Sequence, residues 1–220
     1  MSDLTRPRLQ IALDTVDLPS ALRPLNQAID RIDVIECGTI LVLTEGLRAV
    51  RVMRTLYPEK TILADVRIAE AGSLIARHSF EAGASWVSVV AGASMTTVEQ
   101  VVQVAQSHGG QVQVELGEHY RSEQARQWRD LGVDHVIVKR SRDLEAAGTL
   151  TWGAEDVDRI QELAGLGFTV TITGGVTAAD LDVFAGVPVG IVIAGRAIVA
   201  APDPLAAATE LQDAIGRVWP

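Results

Sequence analysis

Thr61-Ile62-Leu63-Ala64-Asp65-Val66-Arg67-Ile68-Ala69-Glu70-Ala71-Gly72 runs an apolar, strand-like segment straight into three charged residues and then into the start of a helix. A strand of this kind is buried along its length and ends at chemistry. If the segment stays extended through Arg67, Asp65 and Arg67 point to one face, because side chains two apart on a strand share a side. Glu70 lies just past them. The plain structural alternative has Asp65 closing the strand and Arg67 in a surface ion pair, which contributes little to stability. The surrounding chain decides between them.

The same unit recurs in both directions. Short β-branched runs alternate with segments of helical period, the pattern of crossover units around a parallel sheet. The predicted strands are Leu9 to Leu13, Asp33 to Cys37, the stretch quoted above, Trp86 to Val90, Gln111 to Leu116, His135 to Lys139, Phe168 to Thr173 and Gly190 to Ala194. Helices follow at Leu18, where Pro19 suits a first turn, and from Gly46 towards Leu56, stopping before Pro58. Further helices are read at Gly72 to Ala82, closed by Gly83, Thr96 to Ser107, Ser122 to Leu131, Ala154 to Ala164 and from Pro204 onward. The connection after Lys139 is long, through Arg140-Ser141-Arg142-Asp143 and Thr151-Trp152-Gly153, and long loops in compact domains are often functional. Eight strand–helix pairs in 220 residues match a closed (β/α)₈ TIM barrel at its compact limit, with residues 1–220 forming one domain. An open doubly wound sheet is the alternative, but its GxGxxG fingerprint and the P-loop lysine motif are both absent.

Composition narrows the function. With 48% of residues hydrophobic and 21% charged, the chain is globular. A formal charge of −9 argues against a nucleic-acid backbone binder, which needs a basic face. The lone Cys37 excludes a disulfide framework and a CxxC metal knuckle, and fits a reducing cytoplasm. Met1 to Gln10 does not read as a signal peptide, and no apolar run is long enough to span a bilayer. A soluble cytoplasmic protein is expected.

In a barrel the working face lies at the carboxyl ends of the strands. Those ends collect Asp14, Glu36, Asp65, Arg67, Glu115, Lys139 and Thr173, against strand interiors of Val, Ile, Leu and Ala. Converging carboxylates repel, and a cation keeps them ionised. Glu36 and Asp65, on adjacent strands, suit a hard ion that retains waters, which means Mg²⁺. Gly174-Gly175 and Gly195, after the last two strands, let backbone N–H groups approach an anion where this fold places phosphates, with Arg196 as a forked cationic contact. Their alternative reading is as tight turns. The histidines are read as structural or solvated: His78 in a helix, His108 at a helix end, His135 at the wrong end of a strand, and only His119 within reach of the open face. The tryptophans read as packing residues, Trp152 in the long loop excepted.

These residues resemble the 3-keto-L-gulonate 6-phosphate decarboxylases, within the orotidine monophosphate decarboxylase superfamily that also holds hexulose-6-phosphate synthases. The likeness spans nearly the whole chain. It is carried by Leu9-Gln10-Ile11-Ala12-Leu13-Asp14, Glu36-Cys37-Gly38-Thr39-Ile40, Leu63-Ala64-Asp65, Gln127-Trp128-Arg129-Asp130, Arg140-Ser141-Arg142-Asp143, Thr173-Gly174-Gly175 and Ala194-Gly195-Arg196. The resemblance implies Mg²⁺-dependent decarboxylation of a β-keto sugar acid phosphate through an enediolate, at sites shared across a homodimer. It implies metal contacts from Glu36 and Asp65 and substrate-hydroxyl contacts from Asp14. Thr173, Gly175, Gly195 and Arg196 would hold the phosphate. Arg142 and Glu115 would belong to the network that delivers a proton, and Glu70 would reach into the partner subunit's site.

The chain departs from the family pattern at the reacting centre. The family motif Asp-x-Lys-x-x-Asp is here Asp65-x-Arg67-x-x-Glu70, and Lys139 stands where a histidine is expected. Arginine stabilises an enediolate by charge but does not donate a proton near neutrality. Lys139 serves as a general acid if burial or the nearby Arg140 and Arg142 disfavour its ammonium form; otherwise it is an ion-pair partner of Glu115. Two other readings stay open: aldol, isomerase or epimerase chemistry on a phosphorylated ketose without CO₂ release, and a phosphosugar binder without catalysis. The cluster of carboxylates argues against the binder.

Overall fold

The structure is a computed structural model that describes residues 6–117, 120–140 and 152–220. Eight parallel strands close into a barrel in sequence order. They are β1 Arg8–Leu13, β2 Val34–Cys37, β3 Thr61–Ile68, β4 Trp86–Val90, β5 Gln111–Glu115, β6 His135–Lys139, β7 Thr169–Thr173 and β8 Ile191–Ala194. The α-helices are α1 Leu18–Ala28, α2 Thr39–Glu45, α3 Arg48–Leu56, α4 Gly72–Glu81, α5 Met95–Ser107, α6 Ser122–Leu131, α7 Ala154–Gly165, α8 Arg196–Val199 and α9 Pro204–Val218. The TIM-barrel expectation is met.

Local chemistry sets the helix ends. Asp17 accepts from the Ser20 N–H at the start of α1 and Asp203 from the Ala206 N–H at the start of α9, each beside a proline in the first turn. Gly83 and Gly132 take the left-handed exits that end α4 and α6. The outward faces of the strands, such as Leu9, Ile11, Leu13, Ile35 and Ile62, bury against the helices. A smaller apolar cluster of Val34, Leu63, Trp86, Ile137, Ile191 and Ile193 lies inside the barrel, alongside the buried polar side chains of Gln10, Gln113 and Thr171. The polar strand ends stand above this cluster. Trp86, Trp128 and Trp219 are buried packing residues, and Trp152 is also buried, edge-on to Phe184 at 5.1 Å.

Two connections differ from the sequence-based expectation. α2 forms directly after Gly38, from a segment rich in β-branched residues whose helical state is imposed by its packing on β3. After β7, a 3₁₀ helix at Ala178–Phe184 replaces the expected α-helix. The Asp180 carboxylate accepts from both the N–H and the hydroxyl of Thr177, and Gly186 with φ 75° ends the segment two residues past Phe184, leaving no room for further turns.

β3 holds the main irregularity. Its register against β4 shifts between Ala64 and Ile68, and Arg67 has φ 46°, left-handed for a non-glycine residue. The Arg67 N–H donates to Ser88 Oγ of β4 at 2.9 Å. The extended path through Arg67 is therefore broken at Arg67 itself. The bulge re-aims its side chain across the mouth of the barrel.

Candidate active site

Glu36 and Asp65 sit on neighbouring strands at the top of the apolar cluster, both buried. Glu36 Oε2 accepts from Gln10 Nε2 at 2.6 Å. Asp65 Oδ1 accepts from Ser88 Oγ at 2.6 Å and Oδ2 from Thr39 Oγ1 at 2.5 Å. Burial pushes the Glu36 carboxyl well above the usual carboxylate range, and the Asp65 charge pushes it further. Asp65 is also raised by burial, against the pull of its two hydroxyl donors. Two buried carboxyls, one raising the proton affinity of the other, form a hard-oxygen donor set whose charge a divalent cation would balance. Among the described residues, no group of three His, Cys, Asp or Glu side chains gathers into a complete metal cage. That donor set fits an ion which keeps several waters, as Mg²⁺ does, better than one demanding four protein ligands.

Within electrostatic reach of this pair, Glu115 at the end of β5 bridges two cations. Arg67 Nη2 donates to Glu115 Oε1 at 2.5 Å, and Lys139 Nζ donates to the same oxygen. Glu115 is largely buried, with 13% of its side chain exposed, while Arg67 and Lys139 expose 41% and 30%. The carboxylate is thus fixed and the cations face the open mouth. Lys139 makes the ion pair with Glu115 that was the alternative to its acid role, and it stays open enough to meet a ligand.

The glycine loops follow the next two strands around the mouth, β7 and β8. Thr173 closes β7 beside Lys139. Gly174 has φ 101°, and a Cβ there would lie 2.6 Å from the Arg140 carbonyl oxygen, so only glycine fits. Gly175 is also left-handed, with φ 68°. Arg140 braces the loop: its Nε donates to the Gly174 carbonyl at 2.9 Å while its guanidinium stacks 4.9 Å over the Trp152 ring. Gly195 leads into α8, where Arg196 is exposed. Asp14, just past β1, accepts from the Ile40 N–H at 3.3 Å. A Cβ on Gly38 would fall 2.9 Å from Asp14 Cγ, so Gly38 makes room for that carboxylate.

Glu70 is exposed on the rim beyond the bulge. Arg142 and His119 lie outside the described residues. His78 and His108 sit at surface positions of α4 and the end of α5, and His135 is buried at the start of β6 against Trp86. The sequence reading gave no role to Gln10, Thr39 or Ser88, which orient the two buried carboxyls, or to Gly38. A signal existed for Gln10 and Ser88, since a polar residue in mid-strand at an inward position interrupts an otherwise apolar alternation.

Residues 7–211 match the model of the orotidine 5′-phosphate decarboxylase / HUMPS family. The 3-keto-L-gulonate-6-phosphate decarboxylase UlaD of Escherichia coli is 44% identical over 216 residues, covering 98% of this chain and 100% of the relative. Among solved structures, a ligand-bound crystal structure of KGPDC from Streptococcus mutans superposes with a TM-score of 0.95 at 36% identity, over 98% of this chain and 100% of that one. The 3-hexulose-6-phosphate synthase of Salmonella typhimurium follows the same fold with a TM-score of 0.87 at 27% identity, over 96% of this chain and 99% of that one.

Proposed function

The chain belongs to the orotidine 5′-phosphate decarboxylase / HUMPS family, and from that premise we propose that it is a Mg²⁺-dependent carboxy-lyase acting on 3-keto-L-gulonate 6-phosphate or a close β-keto sugar acid phosphate. The observation that carries the reading is one juxtaposition. The buried Glu36–Asp65 pair lies within electrostatic reach of a Glu115 carboxylate held by Arg67 and Lys139, and the glycine loops after β7 and β8 open on the same end of the barrel.

Glu36 and Asp65 would hold the ion. When bound, Mg²⁺ supplies positive charge next to the oxygens on which electrons accumulate as CO₂ leaves. The remaining work falls to this chain's side chains. Thr173, Gly174, Gly175, Gly195 and Arg196 bind the phosphate tail, and Asp14 orients the sugar hydroxyls. The C–C bond to the carboxylate breaks, its electron pair is kept as an enediolate, and Arg67 stabilises that charge without giving up a proton. One proton then returns to the carbon that lost CO₂, leaving a pentulose phosphate. Lys139 is placed to deliver it, and Glu115, bonded to Lys139, orients the donor and shares the proton. Glu70 stands exposed on the rim, which supports a homodimer in which it completes the partner's site.

The test is direct. CO₂ release from 3-keto-L-gulonate 6-phosphate is followed with Mg²⁺, with chelator, and for Asp65→Asn. The proposal expects turnover only with Mg²⁺ and wild-type Asp65. Full activity of Asp65→Asn removes the metal assignment. In D₂O with pentulose phosphates, deuterium uptake without CO₂ release from the keto acid favours aldolase or epimerase chemistry instead. Binding without either signal favours the non-catalytic reading.

A further inference from the structure

The waist of the barrel is polar where such barrels are usually aliphatic. Following the strand pairings around the sheet, with the tilt that closes it, Gln10 of β1, Leu63 of β3, Gln113 of β5 and Thr171 of β7 fall in one interior layer. Gln10, Gln113 and Thr171 are fully buried. Among the described residues, Gln10 Oε1, both amide atoms of Gln113 and Thr171 Oγ1 have no hydrogen-bond partner, and neither has His135 Nδ1 in the layer below. A buried polar atom left unmatched is costly, so a set of them in one layer calls for a shared partner.

Their chemistry specifies that partner. Gln113 offers an N–H₂ donor and a carbonyl acceptor, Gln10 offers a carbonyl, and the Thr171 hydroxyl does both. A cation would be repelled by the amide N–H₂ and an anion by the two carbonyls. A small molecule that donates and accepts satisfies the set, and water needs two to four such partners.

We propose that this layer binds an internal water and that Gln10, held by it, is a positioning residue for Glu36. Gln10 gives its Nε2 to Glu36 Oε2 at 2.6 Å. Only one of the two orientations of its amide presents N–H₂ to a carboxylate; the flipped one sets oxygen against oxygen. Water donating to Gln10 Oε1 from beneath locks the productive orientation. The polar layer thereby aims Glu36 from two layers below the mouth. The link to metal binding rests on the Mg²⁺ reading above, whereas the water site itself does not.

The experiment has two arms. A crystal structure of the ligand-free protein, at a resolution that shows ordered water, is expected to place one within hydrogen-bond distance of Gln10 Oε1 and of Gln113 or Thr171. Direct bonding of these side chains to one another, with no water between them, overturns the site. In the second arm Mg²⁺ binding is measured by calorimetry, without substrate. Gln10→Met is expected to weaken it about tenfold, the effect typical of removing a group that orients a ligand. Thr171→Val, which keeps the shape of the side chain, is expected to weaken it to a lesser degree, and Thr171→Ser to restore it. Equal Mg²⁺ affinity of wild type, Gln10→Met and Thr171→Val overturns the positioning role. Wild type that takes up no Mg²⁺ overturns the metal reading and with it the positioning role, and the crystallographic arm still decides the water.

Discussion

Replacing Glu115 by Gln separates what its carboxylate does for the fold from what it does for chemistry. The substitution keeps shape and volume but removes the charge that receives Arg67 and Lys139. Hydrogen bonds to a charged group contribute about 1.5–3 kcal/mol each when desolvated. Here the side chains of Arg67 and Lys139 are 41% and 30% exposed and can turn to water, so each bond is worth closer to about 1 kcal/mol. A loss of about 2 kcal/mol lowers the melting temperature of a chain this size by about 4–8 °C. The chemical effect is larger. A glutamine can neither share a proton with Lys139 nor hold its ammonium by charge, and kcat is expected to fall by about 10²–10⁴. In the proposed mode the substrate's anionic tail is held by the loops after β7 and β8 and not by Glu115, so KM is expected to stay within about threefold. Calorimetric melting and CO₂-coupled kinetics on the same preparation provide both readouts. A melting shift of the expected size with kcat unchanged would refute the proton role, leaving Glu115 as a clamp. An unchanged melting temperature would refute the bridging geometry.

Gly38→Ala drives a methyl into Asp14, and is expected to raise KM at least tenfold while the melting temperature falls little; unaltered KM removes Asp14 from substrate contact. Gly174→Ala combines a left-handed φ of 101° with a clash at 2.6 Å on Arg140, and is expected to cost about 1–3 kcal/mol in urea unfolding and to weaken competitive inhibition by inorganic phosphate. Lys139→His is expected to retain turnover within about tenfold and to move the pH–rate profile towards the imidazole range near 6.5, and a complete loss of activity would contradict an acid role at this position. His135 is buried, and burial followed by the charge of Arg8 pushes its imidazole down to about 3. Its folded value lies below its unfolded one, so the unfolded chain binds the proton first. The stability that neutral His135 contributes is full above about pH 6.5 and is lost as pH falls towards 3, at up to about 1.4 kcal/mol per pH unit. His135→Gln should flatten urea-unfolding stability in that window, and an identical acid slope in both proteins would contradict the assignment.

Most of the barrel was readable because its parallel strands announce themselves by β-branched runs and, on β1, β2, β3, β5 and β6, by a charged residue at or near the exit. Asp65, Glu115 and Lys139 stood out for that reason. What escaped depended on contacts between distant segments. Nothing in Val66-Arg67-Ile68 signals a left-handed residue; the conformation is set by Ser88 on the next strand, which takes the Arg67 N–H. Thr39 to Glu45 is rich in β-branched residues and is not read as a helix, and its seat on β3 makes it one. Gln10 and Ser88 were visible as polar residues, but their roles follow from barrel layering, which exists only once the sheet is closed. Arg140 lies beside Lys139 in the chain yet turns to the glycine loop and Trp152, a choice fixed by a ring beyond the long connection.

The bulge at Arg67 also works as a register lock. Strand side chains alternate, so sliding β3 by one residue would turn Asp65 from the barrel's interior to its helix-covered side. The left-handed residue and its bond to Ser88 tie one position of β3 to one position of β4, and a slipped pairing would have to give up both. A single-residue deletion between Ala64 and Ile68 therefore cannot be absorbed by the strand. It would unseat the acidic pair even if the barrel still closed.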